Sequence, residues 1–208
     1  MRKYATELIG TFFLVLTIGT TSIGGAAGVI PPLAIGAVLM AITYAGGHVS
    51  GAHYNPAVTL AVWLRGRLAA SEIGPYIVSQ VIGALLAAGA VSTLRHGVEV
   101  KAASPASGPA LLAELLFTFA LVYVMLNATT AKDTAGNSFY GLAIGMTVMA
   151  GAFAVGNVSG AVFNPAVAVG ISTMGLAAWS TFWVYFVSQF LGGAAAAATF
   201  RVLNPGDL

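Results

Sequence analysis

Residues 51–67 read GAHYNPAVTLAVWLRGR, and residues 160–170 read GAVFNPAVAVG. Each carries an Asn-Pro-Ala triplet, Asn55-Pro56-Ala57 and Asn164-Pro165-Ala166, in apolar surroundings. Proline suits the first position of a helix, where its missing N–H is no loss and its φ is already set. Asparagine is a favoured N-cap, its side-chain oxygen accepting from first-turn amides. Its NH₂ is left to donate elsewhere. Each triplet is therefore predicted to open a helix. The apolar stretch that follows is short, AVTLAVWL in one case and AVAVGIS in the other. About ten helical residues rise ~15 Å, half of a bilayer core.

The two triplets belong to a duplication. LAIGAVLMAITYAGGHVSGAHYNPAV (33–58) recurs as LAIGMTVMAGAFAVGNVSGAVFNPAV (142–167), 109 positions on. YIVSQVIGA (76–84) recurs as YFVSQFLGG (185–193) at the same spacing. TELIGTFFLVL (6–16) returns as AELLFTFALVY (113–123), at a spacing of 107. Asn, Pro, Ser, Gln and Tyr match as well as Ala and Gly, so low complexity does not account for the echo. The charged, then apolar, N-terminus has the outline of a cleavable signal peptide. Its internal copy argues that it is retained structure.

Composition excludes most function classes. Hydrophobic residues make up 58% of the 208 positions and charged residues 7%, against about 25% charged in a soluble domain. Such a surface is suited to lipid. Eight Lys and Arg, with a net charge of +2, are too few and too scattered to make a nucleic-acid footprint. No Cys is present, which removes disulfides, thiol catalysis and Cys-ligated metal. No nucleophile–base pair, phosphate loop or acid pair stands out, so the reading is not an enzyme, and no cofactor or metal is expected.

Apolar runs near 5–23, 33–49, 75–94, 110–128, 139–157 and 180–201 are long enough to span a bilayer. Three spans per repeat force the second half to insert upside down. The expected fold is an all-α membrane protein with six transmembrane helices plus two re-entrant half-helices in an inverted repeat. It is read as one domain over 1–208, with repeat one at about 1–95, a linker at about 96–109 and repeat two at about 110–208. With the N-terminus inside, Arg2, Lys3, Arg65, Arg67, Lys132 and Arg201 lie inside, and only Arg95 and Lys101 outside. The positive-inside rule then puts both termini in the cytoplasm.

Two half-helices entering from opposite faces would meet tip to tip. Both N-termini, each with about half a positive charge, and the amides of Asn55 and Asn164 would lie near the midplane. The preceding HVSGAH and NVSGAV stretches are read as non-helical. Irregular backbone at that depth survives only inside protein or along a water-filled cavity. The bland reading, in which Asn-Pro merely caps two helices, does not explain two copies in register.

Paired NPA triplets, the repeat and six spans resemble the aquaporin and aquaglyceroporin family, the major intrinsic proteins, over nearly the whole chain. The resemblance implies a homotetramer in the plasma membrane, one pore per subunit. It also implies a passive channel for water and small uncharged solutes, with Asn55, Pro56, Ala57, Asn164, Pro165 and Ala166 at the pore midplane. Most members have an arginine directly after the second triplet; here that residue is Val167. The other filter positions fall by resemblance on Ile35, Ala152 (Gly151 adjoining) and Ala161. A ring of small and aliphatic side chains would make a wide apolar filter, open to bulkier neutral molecules; the resemblance adds undissociated metalloid hydroxides to glycerol and urea as candidate solutes.

Glu7 and Glu114 occupy matching sites on spans one and four. Intramembrane carboxylates suggest function by default, here either a proton relay or acceptors for the re-entrant loop amides; the resemblance favours the second. Gln80 and Gln189 are expected to tie each half-helix to the third span of its repeat. By resemblance, His53 is expected to hold its loop or line the inner mouth. Gly36/Gly145 and Gly83/Gly192 are read as close helix contacts. The rival functions are a water-selective pore, a secondary transporter built on the same inverted repeat, and a structural membrane protein with a blocked pore.

Overall fold

The computed structural model describes residues 1–24 and 28–207. Six long helices match the six apolar runs: α1 (Arg2–Ser22), α2 (Ile30–Ser50), α4 (Ala70–Leu94), α5 (Ser107–Thr130), α6 (Tyr140–Ser159) and α8 (Phe182–Leu203). All six are long and apolar enough to cross a membrane. Between them lie α3 (Pro56–Leu64) and α7 (Pro165–Thr173), nine residues each and so about 14 Å long. Four long helices begin a few residues before the apolar runs: in α1, α4 and α5 a polar first turn is helical too, and in α2 Pro31 and Pro32 sit in the first turn. In α4 the first turn carries Glu72, which pairs with Lys3 of α1.

The half-helices stop where glycine lets them. Gly66 and Gly175, 109 positions apart, take φ of 83° and 76° just beyond α3 and α7. A left-handed residue there turns the chain out of the helix, and glycine does so without a Cβ clash.

Small residues set the helix crossings. A Cβ on Gly36 would lie 2.9 Å from the Gly145 carbonyl oxygen, and one on Gly145 2.5 Å from that of Gly36, so α2 and α6 cross backbone to backbone. Gly83 makes the same contact with Leu8, joining α4 to α1, and Gly192 with Leu115, joining α8 to α5. Each half-helix also packs against the other repeat. Gly193 of α8 sits on Ala57 of α3, and Gly170 of α7 sits against Ala84 of α4. The result is the six-span inverted repeat with two half-helices.

The outer surface is apolar. Phe13, Val78, Leu86, Leu116, Phe153 and Phe186 are each about half exposed or more. Helices hydrophobic all round belong in a membrane. The segment between α4 and α5 covers 95–106, and the backbone of its Ala103 bonds to Leu176 and Ala178 just beyond α7.

Candidate functional site

The two half-helices meet through their caps. Asn55 Oδ1 accepts from the Ala57 amide at 2.9 Å, and Asn164 Oδ1 from those of Ala166 and Val167 at 2.9 and 3.4 Å. Pro56 and Pro165 hold the first helical positions. Asn55 Nδ2 donates to the Phe163 carbonyl at 2.8 Å, and Asn164 Nδ2 to the Tyr54 carbonyl at 2.8 Å. The NH₂ that capping leaves over thus donates across the junction. One hydrogen of each amide is committed across the junction, because docking the repeats brings the partner's carbonyl to it. The other remains on a residue that lines the central cavity.

The irregular backbone is shorter than expected. The first three residues of HVSGAH and NVSGAV are helical and only the last three are not: α2 runs through Ser50 and α6 through Ser159. Gly51 and Gly160, with φ of 86° and 91°, end them. Tyr76 and Tyr185 hydroxyls donate to the Ser50 and Ser159 carbonyls at 2.8 and 2.9 Å, which satisfies the helix ends. Ala52, Tyr54, Ala161 and Phe163 then take φ near 50°, at a cost of about 1–2 kcal/mol per residue.

The buried carboxylates hold that backbone in place. Glu7 accepts from Ser50 Oγ (2.7 Å), the His53 amide (3.0 Å), the Tyr54 amide (2.6 Å) and Gln80 Nε2 (2.7 Å). Glu114 accepts from Ser159 Oγ (2.6 Å), the Val162 amide (2.9 Å), the Phe163 amide (2.7 Å) and Gln189 Nε2 (2.8 Å). Four donors fill a carboxylate's acceptor sites, and each bond to it is worth about 1.5–3 kcal/mol, enough to hold the left-handed residues. Gln80 also reaches Thr59 Oγ1 of α3 at 3.0 Å. Gln189 has no such tie to α7, because Ala168 stands where Thr59 does. Ser50/Ser159 and Tyr76/Tyr185 were overlooked in the sequence; their 109-residue pairing was the available signal.

A cavity of about 190 Å³ follows the junction. Ser22, Pro31 and Pro32 border it at one end, and His53 and Met125 at the other. Ile35, Ala152, Ala161 and Val167 line it together with Asn55 and Asn164. Gly151 does not. It faces Phe117 and Phe163, where any Cβ would collide. No Lys, Arg, Asp or Glu lines this cavity among the described residues. Among the described residues no donor reaches the backbone carbonyls of Ala52, His53, Ala161 or Val162, and these four residues border the cavity. At membrane depth such carbonyls require a wet lining. His53 Nδ1 lies 3.2 Å from Thr59 Oγ1, and its ring packs on Tyr76 at 4.9 Å. His53 and Met125 also border a second cavity, of about 1070 Å³, whose lining includes Lys3, Arg67, Glu72 and Lys132. Among the described residues, no group of three or more His, Asp or Glu is placed to hold a metal ion.

Fold and site define the class: an integral membrane channel in which two half-helices abut inside six spans. The profile of the major intrinsic protein family matches residues 1–200, and the chain belongs to that family. It is similar to the Glycerol uptake facilitator protein-like 6 of Lactiplantibacillus plantarum, 35% identical with all of both chains covered. It is also similar to Aquaporin NIP1-1 of Zea mays, 33% identical over 98% of this chain and 75% of the other. Its fold is like that of the aquaglyceroporin from Plasmodium falciparum, with a TM-score of 0.83, 21% identity and 98% and 97% of the two chains covered.

Proposed function

We propose that the chain is a passive channel that carries water and small uncharged solutes, such as glycerol, urea or metalloid hydroxides, through a wide apolar filter, with no chemical step and no cofactor. The observation that carries this reading is that Ile35, Ala152, Ala161 and Val167 border the same cavity as Asn55 and Asn164. An isopropyl group in the place of a guanidinium widens the ring and removes a fixed charge. The spare hydrogen of each Asn orients an accepting oxygen, and the unbonded carbonyls accept from hydroxyls. An ion would lose its hydration with no opposite charge in the wall to replace it, and would face two positive helix ends as well. The relatives named as a glycerol facilitator and as aquaporins favour the same class of solute.

In this reading Glu7, Glu114, Gln80, Gln189 and His53 are scaffold rather than proton relay. The four donors around each carboxylate support that role. One domain over 1–208, a homotetramer in the plasma membrane and cytoplasmic termini complete the proposal. The gathering of Lys3, Arg67 and Lys132 at one mouth supports the orientation.

Stopped-flow light scattering of proteoliposomes tests the function. Re-swelling in glycerol and urea, linear in concentration and independent of ions, is expected. Water flux without re-swelling would leave a water-selective pore, and saturable, ion-coupled uptake a transporter.

A further inference from the structure

The wall of the central cavity is paired as the sequence is. Ile35, Ala161 and Val167 have repeat mates 109 positions away in Ile144, Ala52 and Val58, and all six line the cavity. The residue types are the same in all three pairs. The fourth mate, Thr43 for Ala152, is buried off the wall. Val58 and Val167 hold the same position in their half-helices, the third residue from the start. Because the repeats are inverted, the two valines lie on opposite sides of the Asn55–Asn164 junction.

We infer that Ile144, Ala52 and Val58 form a second size-selecting collar, of the same chemistry as the first, so that a solute passes two apolar sieves in series. The inference rests on reading Ile35, Ala152, Ala161 and Val167 as a filter. Val167 is what makes the collars alike. An arginine there would put the whole restriction on one side and leave Val58 in a wide, inconsequential stretch. With Val58 opposite Val167, neither collar alone sets the limit.

Two equal resistances in series predict a distinctive pattern. The full chain, in proteoliposomes, is compared with Val58→Ala, Val167→Ala and the double variant, using glycerol and the bulkier xylitol as solutes. Each single variant raises solute flux by no more than about twofold, because the other collar still limits it; the double raises it well beyond about fourfold. Measurable water flux per assembled protein in every variant shows that the pore still conducts. If an alanine variant fails to assemble, Val58→Leu and Val167→Leu decide: each lowers glycerol flux by a similar factor. The second collar is overturned if Val167 variants change solute flux while Val58 variants leave it unchanged. If neither position alters solute flux while water still passes, the filter reading fails, and the second collar with it.

Discussion

Asn55 and Phe163 are joined across the centre of the molecule: the side-chain amide of the first donates to the backbone carbonyl of the second at 2.8 Å, and Asn164 repeats the bond to Tyr54. The residues that cap the half-helices thus also bond one repeat to the other. Asn55→Ala loses a cap worth about 1 kcal/mol. It also orphans the Phe163 carbonyl, at about 1–3 kcal/mol. A loss of about 2–4 kcal/mol follows, with Asn164→Ala at least as costly, since Asn164 caps two amides. Thermal unfolding in detergent measures both. A loss well under 1 kcal/mol would show that the junction does not depend on these bonds.

Glu7→Gln and Glu114→Gln test the scaffold role. Each replaces an acceptor oxygen with an NH₂ that faces donors on every side. At least one loop amide or hydroxyl loses its partner, and the expected cost is about 2–5 kcal/mol. Water and solute flux per folded molecule should fall together, because the backbone of the passage is displaced. A proton relay would behave differently: stability would hold, and only a pH-dependent flux would change.

The residues that could be read from sequence are those that the duplication repeats. The triplets, the three spans per half and the paired Glu7/Glu114 and Gln80/Gln189 all stand out once the halves are aligned. The half-helix starts were legible through proline and asparagine chemistry, which is local. The partner of each Asn amide was not, because it exists only after the repeats dock. Nor were the left-handed Ala52 and Ala161, since alanine avoids that conformation and takes it here only because the neighbouring loop amides are held by Glu7 and Glu114. The contact of Arg65 with Asp207 has no sequence pattern at all. It joins the end of α3 to the far end of the chain.

Gly145→Ala and Gly192→Ala should each destabilise strongly. The new methyl would meet the Gly36 or Leu115 carbonyl oxygen at 2.5 Å, and backbone cannot step aside as a side chain can. Overpacking of this kind costs about 1–3 kcal/mol or more. Gly74→Ala is the control, since nothing lies within 4 Å of a Cβ there. Melting temperatures in detergent separate the three, and a Gly145→Ala no worse than Gly74→Ala would refute the close crossing.

Asp207 gives the chain an acid-sensitive clasp. Its carboxylate accepts from the Lys132 amide at 2.8 Å and pairs with the buried Arg65 at 3.0 Å. The Lys132 N–H, then the Arg65 and Lys132 charges, hold its pKa below the ordinary 3.8 against the opposing effect of burial. A depressed folded pKa contributes stability that is fully present above the unfolded value and lost as pH falls through the folded one. Wild type should therefore exceed Asp207→Asn in stability at neutral pH. The gap should close on acidification below the ordinary carboxyl range, as read from melting temperatures against pH. A gap that stays constant down to strong acid would mean that the ion pair contributes nothing.

Val167→Arg tests the filter from the opposite direction to the truncations. The guanidinium adds length and a fixed charge to a wall whose neighbours are Ile35, Ala152 and Ala161. The constriction narrows most for solutes wider than water. Glycerol flux should fall by about tenfold or more while water falls by less than about threefold, since pore diameter and lining donors set selectivity. The side chain also needs a partner for its five donors, and the unbonded carbonyls of Ala161 and Val162 are within the same wall. Equal loss of water and glycerol would mean that the arginine has blocked or unfolded the passage rather than sieved it. An unchanged glycerol flux would place the limiting ring away from Val167.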